Sequence, residues 1–353
     1  MKPRQPGRKR VGVRNRDGCT IGLDIGATAV RGAVVKLTTG EGRPSAAVQR
    51  TAEVPLAPGV LVNGVVQEPE LLTTTVKRLW RQGGFTGRQV ILGIANPQVL
   101  VRSMTIPDLD PRRRAQALPF QAREVVALPV DQVVLDFCQL GPADPETKLV
   151  NGLLLATPRQ PVLDAVAAVE RAGLNVARVD LSSFGAMRSI ASEDPTVEAV
   201  VDLGAQLTTV VIHDRGVPKL VRTLARGGHE LTTALADRLD ISEEDAEMIK
   251  CEVGLDDDRP ETTRVLAEAL RPLMAEIRTS VQYFRTSNDL QITRMSLTGG
   301  GSALRGLPEA LEQQTRISTR VVDPMQHVVG AGPTPDRRPV SAVALGLALG
   351  TAA

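Results

Sequence analysis

The chain has 353 residues, 42% of them hydrophobic and 23% charged, with a formal net charge of +2. That length suits two or three lobes with sizeable cores and excludes fully disordered and fibrous readings. Aromatic residues are five Phe, one Tyr and one Trp, which excludes modules that stack bases on aromatic platforms and leaves Val, Leu, Ile and Ala to build the core.

The near-zero net charge hides an asymmetry. Residues 1–17 carry seven Lys/Arg and one Asp, so the remainder is mildly acidic. The segment MKPRQPGRKRVGVRNRDG, residues 1–18, reads as a flexible tail. It is either an electrostatic contact for anionic lipid or nucleic acid, or a solvated leader. Cys19, Cys138 and Cys251 show no metal-type spacing, which points to a reducing compartment. No apolar run reaches the ~18–20 residues of a membrane span, and the basic start lacks the apolar stretch of a secretory signal. A cytoplasmic body is expected.

Order is expected from Thr20. TIGLDI and AVRGAVVKL read as strands joined by Gly26-Ala27-Thr28, with a third run around Ala46–Thr51. Residues 68–82 place Leu71, Leu72, Val76 and Leu79 on one helical face, stopped by Gly83-Gly84. Strands RQVILGIA and VLVRSMTIP flank Asn96-Pro97. Residues 98–177 read as an inserted small α/β unit on a lobe I core of 19–97. Its order is helix (111–126), strand VVLDFCQL, strand LVNGLLLAT, helix PVLDAVAAVERAG and strand NVARVDL. A connecting helix SSFGAMRSIAS lies within 178–196.

From 197 the first design returns. VEAVVDLGAQLTTVVIHD again sets a strand ending in Asp before x-Gly-Ala and a second β-branched strand, and VPKLVRTLA follows. The correspondence of LDIGATAVRGAVV with VDLGAQLTTVVIH suggests an internal duplication. A second lobe over 197–332 is expected, helical at about 228–290. Its last helix carries Leu266, Leu270, Leu273, Ile277, Val281 and Phe284 at steps of three and four, with Pro272 expected to kink or interrupt it. ITRMSLTGGGSALRGLPEAL reads as strand, triple-Gly turn and helix. Residues 333–353 end in a short apolar helix returning to lobe I.

A strand ending in Asp before x-Gly-Ala sets a carboxylate beside a loop of uncovered backbone N–H groups, which suits an anion. Two such loops could grip a polyphosphate from opposite sides. Asp24 and Asp202 would then hold Mg²⁺ largely through its waters. The turn Leu297-Thr298-Gly299-Gly300-Gly301-Ser302 lets a planar base or ribose lie on bare backbone near a helix N-terminus.

Together, IGLDIGATAVRGAVV, LPFQAREVVALPVDQVVLDFCQLG, VDLSSFGAMRSI, VDLGAQLTTVVI, RGGHELTTALAD, EDAEMIKCEVG and SLTGGGSALRGLPEAL resemble the actin-like ATPase superfamily. Within it the chain resembles the PilM family of type IV pilus assembly proteins, over residues 20–350. The resemblance implies a duplicated actin-like (ribonuclease H-like) α/β fold: two lobes, each a mixed sheet flanked by helices, plus the insert. It assigns Asp24, Gly26, Ala27, Thr28 and Arg31 to a first phosphate loop and Asp202, Gly204, Ala205, Gln206 and Thr208 to a second. It sets Gly227, Gly228, Glu247 and Lys250 around an adenosine, and Gly299, Gly300 and Gly301 under it. The implied cofactors are ATP or ADP and Mg²⁺. Arg31 stands where such loops often carry Lys, and Ala27 replaces a frequent hydroxyl residue.

No residue marks itself as a positioned general base. Asp180 is a candidate by location only, so at most slow ATP hydrolysis is expected. His213, His229 and His327 suggest no metal or nucleophilic site, although His229 adjoins the expected cleft. The implied partner is a PilN-like bitopic inner-membrane protein. Its cytoplasmic N-terminal peptide would lie in a groove at roughly residues 98–140, with nucleotide-sensitive affinity. Arg112-Arg113-Arg114 lies there and meets an acidic partner, the membrane surface, or only solvent. Other pilus motor or platform proteins are further partners, and no nucleic acid is implied. The expected place is peripheral at the inner membrane, reached indirectly, with the basic tail as an aid. The alternatives are an FtsA-like division or other actin-like scaffold protein and, with less support, a small-molecule kinase. FtsA-like chains end in an amphipathic basic helix after a linker, whereas this sequence stops at GLALGTAA, so no tether of that kind is expected. A kinase needs a carboxylate base aimed at a substrate hydroxyl, and no motif marks one.

Overall fold

The computed structural model describes residues 15, 18–38, 45–191, 196–255, 259–327 and 341–350. Of the expected tail, only Asn15 and Gly18 fall among them.

The apolar run of β1 (Cys19–Ile25) is buried on both faces, because it lies at the centre of a sheet. It pairs antiparallel with β2 (Ala29–Thr38), and β2 pairs with β3 (Ser45–Pro55). A two-residue hairpin, β4 (Leu61–Val62) and β5 (Val65–Val66), leads into α1 (Pro69–Gly83). Pro69 opens that helix and Gly84 closes it in the left-handed region at φ 61. Leu72, Val76 and Leu79 are buried as expected, but Leu71 is 51% exposed, since it lies about 100° around the helix from Leu72. Strand β6 (Gln89–Ile94) runs parallel to β1.

The inserted unit contains β7 (Leu100–Pro107), α2 (Pro111–Ala122), β8 (Val133–Gln139) and β9 (Leu149–Pro158), with strand order β7-β9-β8. Helix α2 stops at Ala122 rather than 126, because Val125 and Val126 both donate to the Ala122 carbonyl in a turn. Phe137, Ile106, Val150, Leu154 and Leu118 form the core between sheet and helix.

Helix α3 (Arg159–Arg171) and strand β10 (Asn175–Leu181) differ from their expected place in the insert. β10 pairs parallel with β6, and Ala165, Ala168 and Val169 of α3 pack into the first sheet's core with α1. The first sheet therefore has the order β10-β6-β1-β2-β3. Helix α4 (Ser182–Ile190) follows, buried on nearly every side.

The second sheet repeats the first. Strands β11 (Val197–Leu203), β12 (Thr208–Asp214) and β13 (Val217–Leu224) are antiparallel neighbours. Helices α5 (Gly228–Leu239), α6 (Glu243–Val253) and α7 (Pro260–Ser287) intervene before β14 (Ile292–Thr298) joins parallel to β11. Helix α8 (Leu307–Thr315) connects to β15 (Ser318–Val321), giving the order β13-β12-β11-β14-β15. Each sheet thus has an antiparallel three-stranded half and a parallel half, with an Asp one residue before the end of its first strand. Helix α7 is not interrupted at Pro272: its face of Leu266, Leu270, Leu273, Ile277 and Phe284 is buried continuously in the second core. That burial outweighs one missing backbone bond.

Helix α9 (Ala342–Leu349) returns to the first sheet and lies against β1 and α4. The approach needs glycine. A Cβ at Gly22 would stand 2.0 Å from the Ala344 carbonyl oxygen, and one at Gly346 1.7 Å from that of Gly185. Leu153, Leu181, Phe184, Met187, Val211 and Val221 form one further apolar cluster, which joins the insert, α4 and the second sheet.

Candidate functional site

Both β-hairpin loops, the Gly299-Gly300-Gly301 turn and α6 open onto one cleft of about 1080 Å³. Of the expected residues, Asp24, Gly26, Ala27, Thr28, Arg31, Asp202, Gly204, Ala205, Gln206, Gly228, Glu247, Lys250, Gly299, Gly300 and Gly301 line it. Strand duplication explains why the loops face each other: β1 pairs with β2 through Asp24↔Arg31, and β11 with β12 through Asp202↔Thr209.

Two expected residues take other places. Thr208 is fully buried and its Oγ1 donates to the Arg226 carbonyl at 2.9 Å. Its neighbour Thr209 stands opposite Asp202 and lines the cleft, because successive side chains alternate across a strand. The Thr209 hydroxyl is buried without a hydrogen-bond partner among the described residues. Gly227 is buried beneath the second loop, where a Cβ would come within 2.4 Å of the Ala205 oxygen. The first N–H groups of α5 are taken by that loop as well: Gly228 donates to Gly204 at 2.9 Å and His229 to Ala205 at 2.8 Å. His229 sits at the rim, 3.8 Å from Glu243.

The carboxylates are the cleft's least comfortable groups. Burial pushes Asp202 up to about 7, the Asp24 charge adds to the push, and Arg31 opposes it. Burial likewise raises Asp24 against the pull of Arg31 and of a 2.9 Å hydrogen bond from Ser341 Oγ. Arg31 itself is shared with Glu53, at 2.9 Å. Two desolvated acids with one shared cation suit a divalent ion, and the orphaned Thr209 hydroxyl suits a polar ligand. Among the described residues no group of three or more His, Cys, Asp or Glu converges on a metal-sized site. An ion here would therefore take most of its ligands from water and phosphate.

Glu247 and Lys250 are more than a solvated pair. Lys250 Nζ donates to Glu247 at 2.6 Å, Thr232 Oγ1 at 2.9 Å and the Gly228 carbonyl at 3.1 Å, tying α6 to the start of α5. Burial pushes Glu247 up, but hydrogen bonds from Lys250 and Thr232 prevail and hold it below its usual range. In the third loop Gly299 has φ 82, and a Cβ there would meet the Leu203 oxygen at 2.4 Å and Asp202 Oδ1 at 2.5 Å. A Cβ at Gly300 would meet nothing within 4 Å.

Asp180 is committed elsewhere. It accepts from Arg188 at 2.7 Å and lies 3.4 Å from Arg178, while Arg188 also donates to Gly346 of α9. It is not among the side chains lining the cleft. The sequence reading missed Thr209, Glu53, Ser341 and the β4–β5 turn. Asn63-Gly64 was a legible hairpin signal, and the Asn63 N–H donates to Gln206 Oε1 at 2.8 Å across the cleft. Only the pairing Arg31↔Glu53 reveals Glu53.

No helix among the described residues is long and apolar enough to cross a membrane. Part of the chain is similar to cell division protein FtsA of Rhizobium meliloti (29% identical, 42% of this chain and 39% of that protein). FtsA of Bacillus subtilis is 27% identical over 38% of this chain and 34% of its own. The matched stretch thus spans well under half of either relative. Among solved structures, a PilM–PilN type IV pilus biogenesis complex is 28% identical, with TM-score 0.82, over 95% of this chain and 98% of that one. Ethanolamine utilization protein EutJ from Carboxydothermus hydrogenoformans (18%, TM-score 0.55, 94% of this chain and 89% of that one) and ADP-bound MreB5 of Spiroplasma citri (13%, TM-score 0.55, 94% and 95%) share the actin-like fold. The family described as type IV pilus assembly protein PilM matches residues 22–352, and the chain belongs to that family.

Proposed function

We propose that the chain is the ATP-binding, actin-like component of a type IV pilus assembly platform, and that its cleft occupant sets its affinity for a membrane-anchored partner. The observation that carries the nucleotide reading is the pair of desolvated carboxylates, buried Asp24 and half-buried Asp202, facing each other across two glycine loops. Gly26, Ala27 and Thr28 on one side and Gly204, Ala205 and Gln206 on the other would hold the phosphates. Gly299 to Gly301, Glu247 and Lys250 would enclose the nucleoside, and Thr209 would donate its free hydroxyl. Mg²⁺, when bound, would neutralise the two acids and the phosphates together. Asp180 is already neutralised by arginines, which supports at most slow hydrolysis. The expected division of the chain stays part of this proposal, with α3 and β10 placed in lobe I.

The partner is a PilN-like N-terminal peptide, as the composition of the similar PilM–PilN complex suggests. Its groove would lie between lobe I and the insert, at roughly residues 98–140. There Phe120 is 68% exposed with Arg123 stacked on it, 5.1 Å from the ring centroid. Arg112 and Arg113 are exposed, whereas Arg114 turns inward to Gln139 and the Phe137 ring. The chain would reach the inner membrane from the cytoplasm through this partner.

The test is a calorimetric titration of the chain with the N-terminal peptide of a PilN-like protein, with and without Mg-ATP. Binding whose affinity differs between the two conditions supports the proposal. Absence of binding in both overturns the partner, and absence of Mg-ATP protection against thermal unfolding overturns the nucleotide.

A further inference from the structure

The 28-residue helix α7 carries a row of arginines that the cleft does not use. Arg264, Arg271, Arg278 and Arg285 are each seven residues from the next, and all are exposed. Seven residues fall about 20° short of two turns, so the four side chains form one row that drifts about 60° around the helix from end to end. The row advances about 10 Å per step and spans about 32 Å.

Its charge is not neutralised at the middle. The three carboxylates of α7 are engaged: Glu261 with Arg238 at 3.0 Å, Glu268 with Arg264 at 3.4 Å, and Glu276 with Arg226 at 2.7 Å. Arg285 donates to the Thr315 carbonyl at 3.3 Å. Arg271 and Arg278 have no ion pair or hydrogen bond among the described residues. Of the exposed positions three or four residues from them, Ala267, Ala275 and Gln282 carry no charge, and the fourth, Glu268, is paired with Arg264.

We propose that this row docks an acidic α-helix of a partner protein, one whose Asp or Glu residues recur every seven positions. Guanidinium forks bind carboxylates in two-point geometry. A row with a heptad step is complementary in charge and spacing to a helix that winds gently along it. A lipid surface fits less well, because the apolar face of α7 is buried in the lobe II core and nothing apolar flanks the row to enter an interface. Nucleic acid fits less well too, since Tyr283, the exposed ring on this helix, is already engaged by Arg222.

The test uses the full chain and a fluorescent synthetic helical peptide of four heptads with Glu at one fixed heptad position. A peptide of the same composition in scrambled order, phosphatidylserine vesicles and a DNA duplex are the comparison probes. The heptad peptide is expected to bind most tightly, with affinity falling as salt rises. R271E/R278E should weaken it by about tenfold or more and R271Q/R278Q by less. R271Q/R278Q, which adds no repulsion and is expected to unfold at the unaltered temperature, decides the matter should the double reversal not fold. Equal binding of the scrambled peptide, unchanged affinity in the variants, or a preference for vesicles or duplex that R271E/R278E abolishes would overturn the proposal.

Discussion

Asp202→Asn should make the metal-free protein more stable while removing its response to Mg-nucleotide. Asp202 has a carboxyl pKa near 7 in the fold against 3.8 in a free chain, raised by burial and by the Asp24 charge. A raised carboxyl pKa means that the folded state holds a proton the unfolded chain has released. Stability therefore falls as pH rises from about 4 to about 7, and the whole penalty is present above that window. Three units correspond to about 4 kcal/mol. Asparagine keeps the size and cannot ionise, but its amide needs partners of its own, so a gain on the order of 2–4 kcal/mol at pH 8 is expected. For a chain of this length that is roughly 3–5 °C in unfolding temperature. Circular dichroism melts in chelator-treated buffer at pH 4.5, 6 and 8 should show the two proteins nearly equal at the lowest pH and diverging upward. Adding Mg-ATP at pH 8 should raise the wild type and leave the variant in place. A difference between the proteins that is constant across the series, or a variant less stable at pH 8, would refute the strained carboxylate pair.

Gly299→Ala should cost several kcal/mol, since it adds a left-handed alanine to contacts of 2.4 and 2.5 Å. Gly300→Ala, with open space around its Cβ, should stay within about 0.5 kcal/mol; thermal melts of the two compare them directly. Burial pushes Glu198 up, but His213 at 3.5 Å and hydrogen bonds from Arg294 and Ser296 prevail and hold it at about 2 against 4.5. A depressed pKa contributes stability that is present above about 4.5 and lost as pH falls toward 2. Glu198→Gln should therefore cost about 3 kcal/mol at neutral pH and flatten that part of the acid-denaturation curve.

Much of the frame was legible because the chain says it twice. An apolar strand ending in Asp, a small-residue turn and a β-branched strand recur in equivalent order, and both copies fold into the same sheet topology. What stayed hidden depends on contacts between distant segments. Thr208 and Thr209 are equivalent as composition, and only the pairing of Thr209 with Asp202 says which one faces the cleft. The amphipathic pattern of α3 shows that it covers a core, not which core. Asp180 could be a base by position until Arg188, one helix later, is found bonded to it at 2.7 Å. Ser341 is readable as a helix cap, which it is for Ala344, yet its bond to Asp24 exists only because α9 returns to the first sheet.

The tie between Asn63 and Gln206 has a consequence that can be measured residue by residue. Asn63 and Gly64 have φ 48 and 79, the left-handed pair of a tight hairpin turn. The turn is fixed in place, since a Cβ on Gly64 would stand 1.7 Å from the Ala95 carbonyl oxygen at the end of β6. Gln206 belongs to the opposite lobe's loop, so its oxygen at 2.8 Å from the Asn63 nitrogen holds the two walls of the cleft together. The bond is exposed to water, so Gln206→Ala should lower global stability by only about 0.5–1.5 kcal/mol. Its effect should be concentrated locally. Hydrogen exchange at the Asn63 amide should rise by about tenfold, while Ile91 and Leu92 in the buried strand β6 keep their protection. If Asn63 exchanges equally fast in both proteins, the tie does not hold the hairpin in solution, and the lobes are joined instead by contacts such as the apolar cluster of Leu153, Phe184 and Val211.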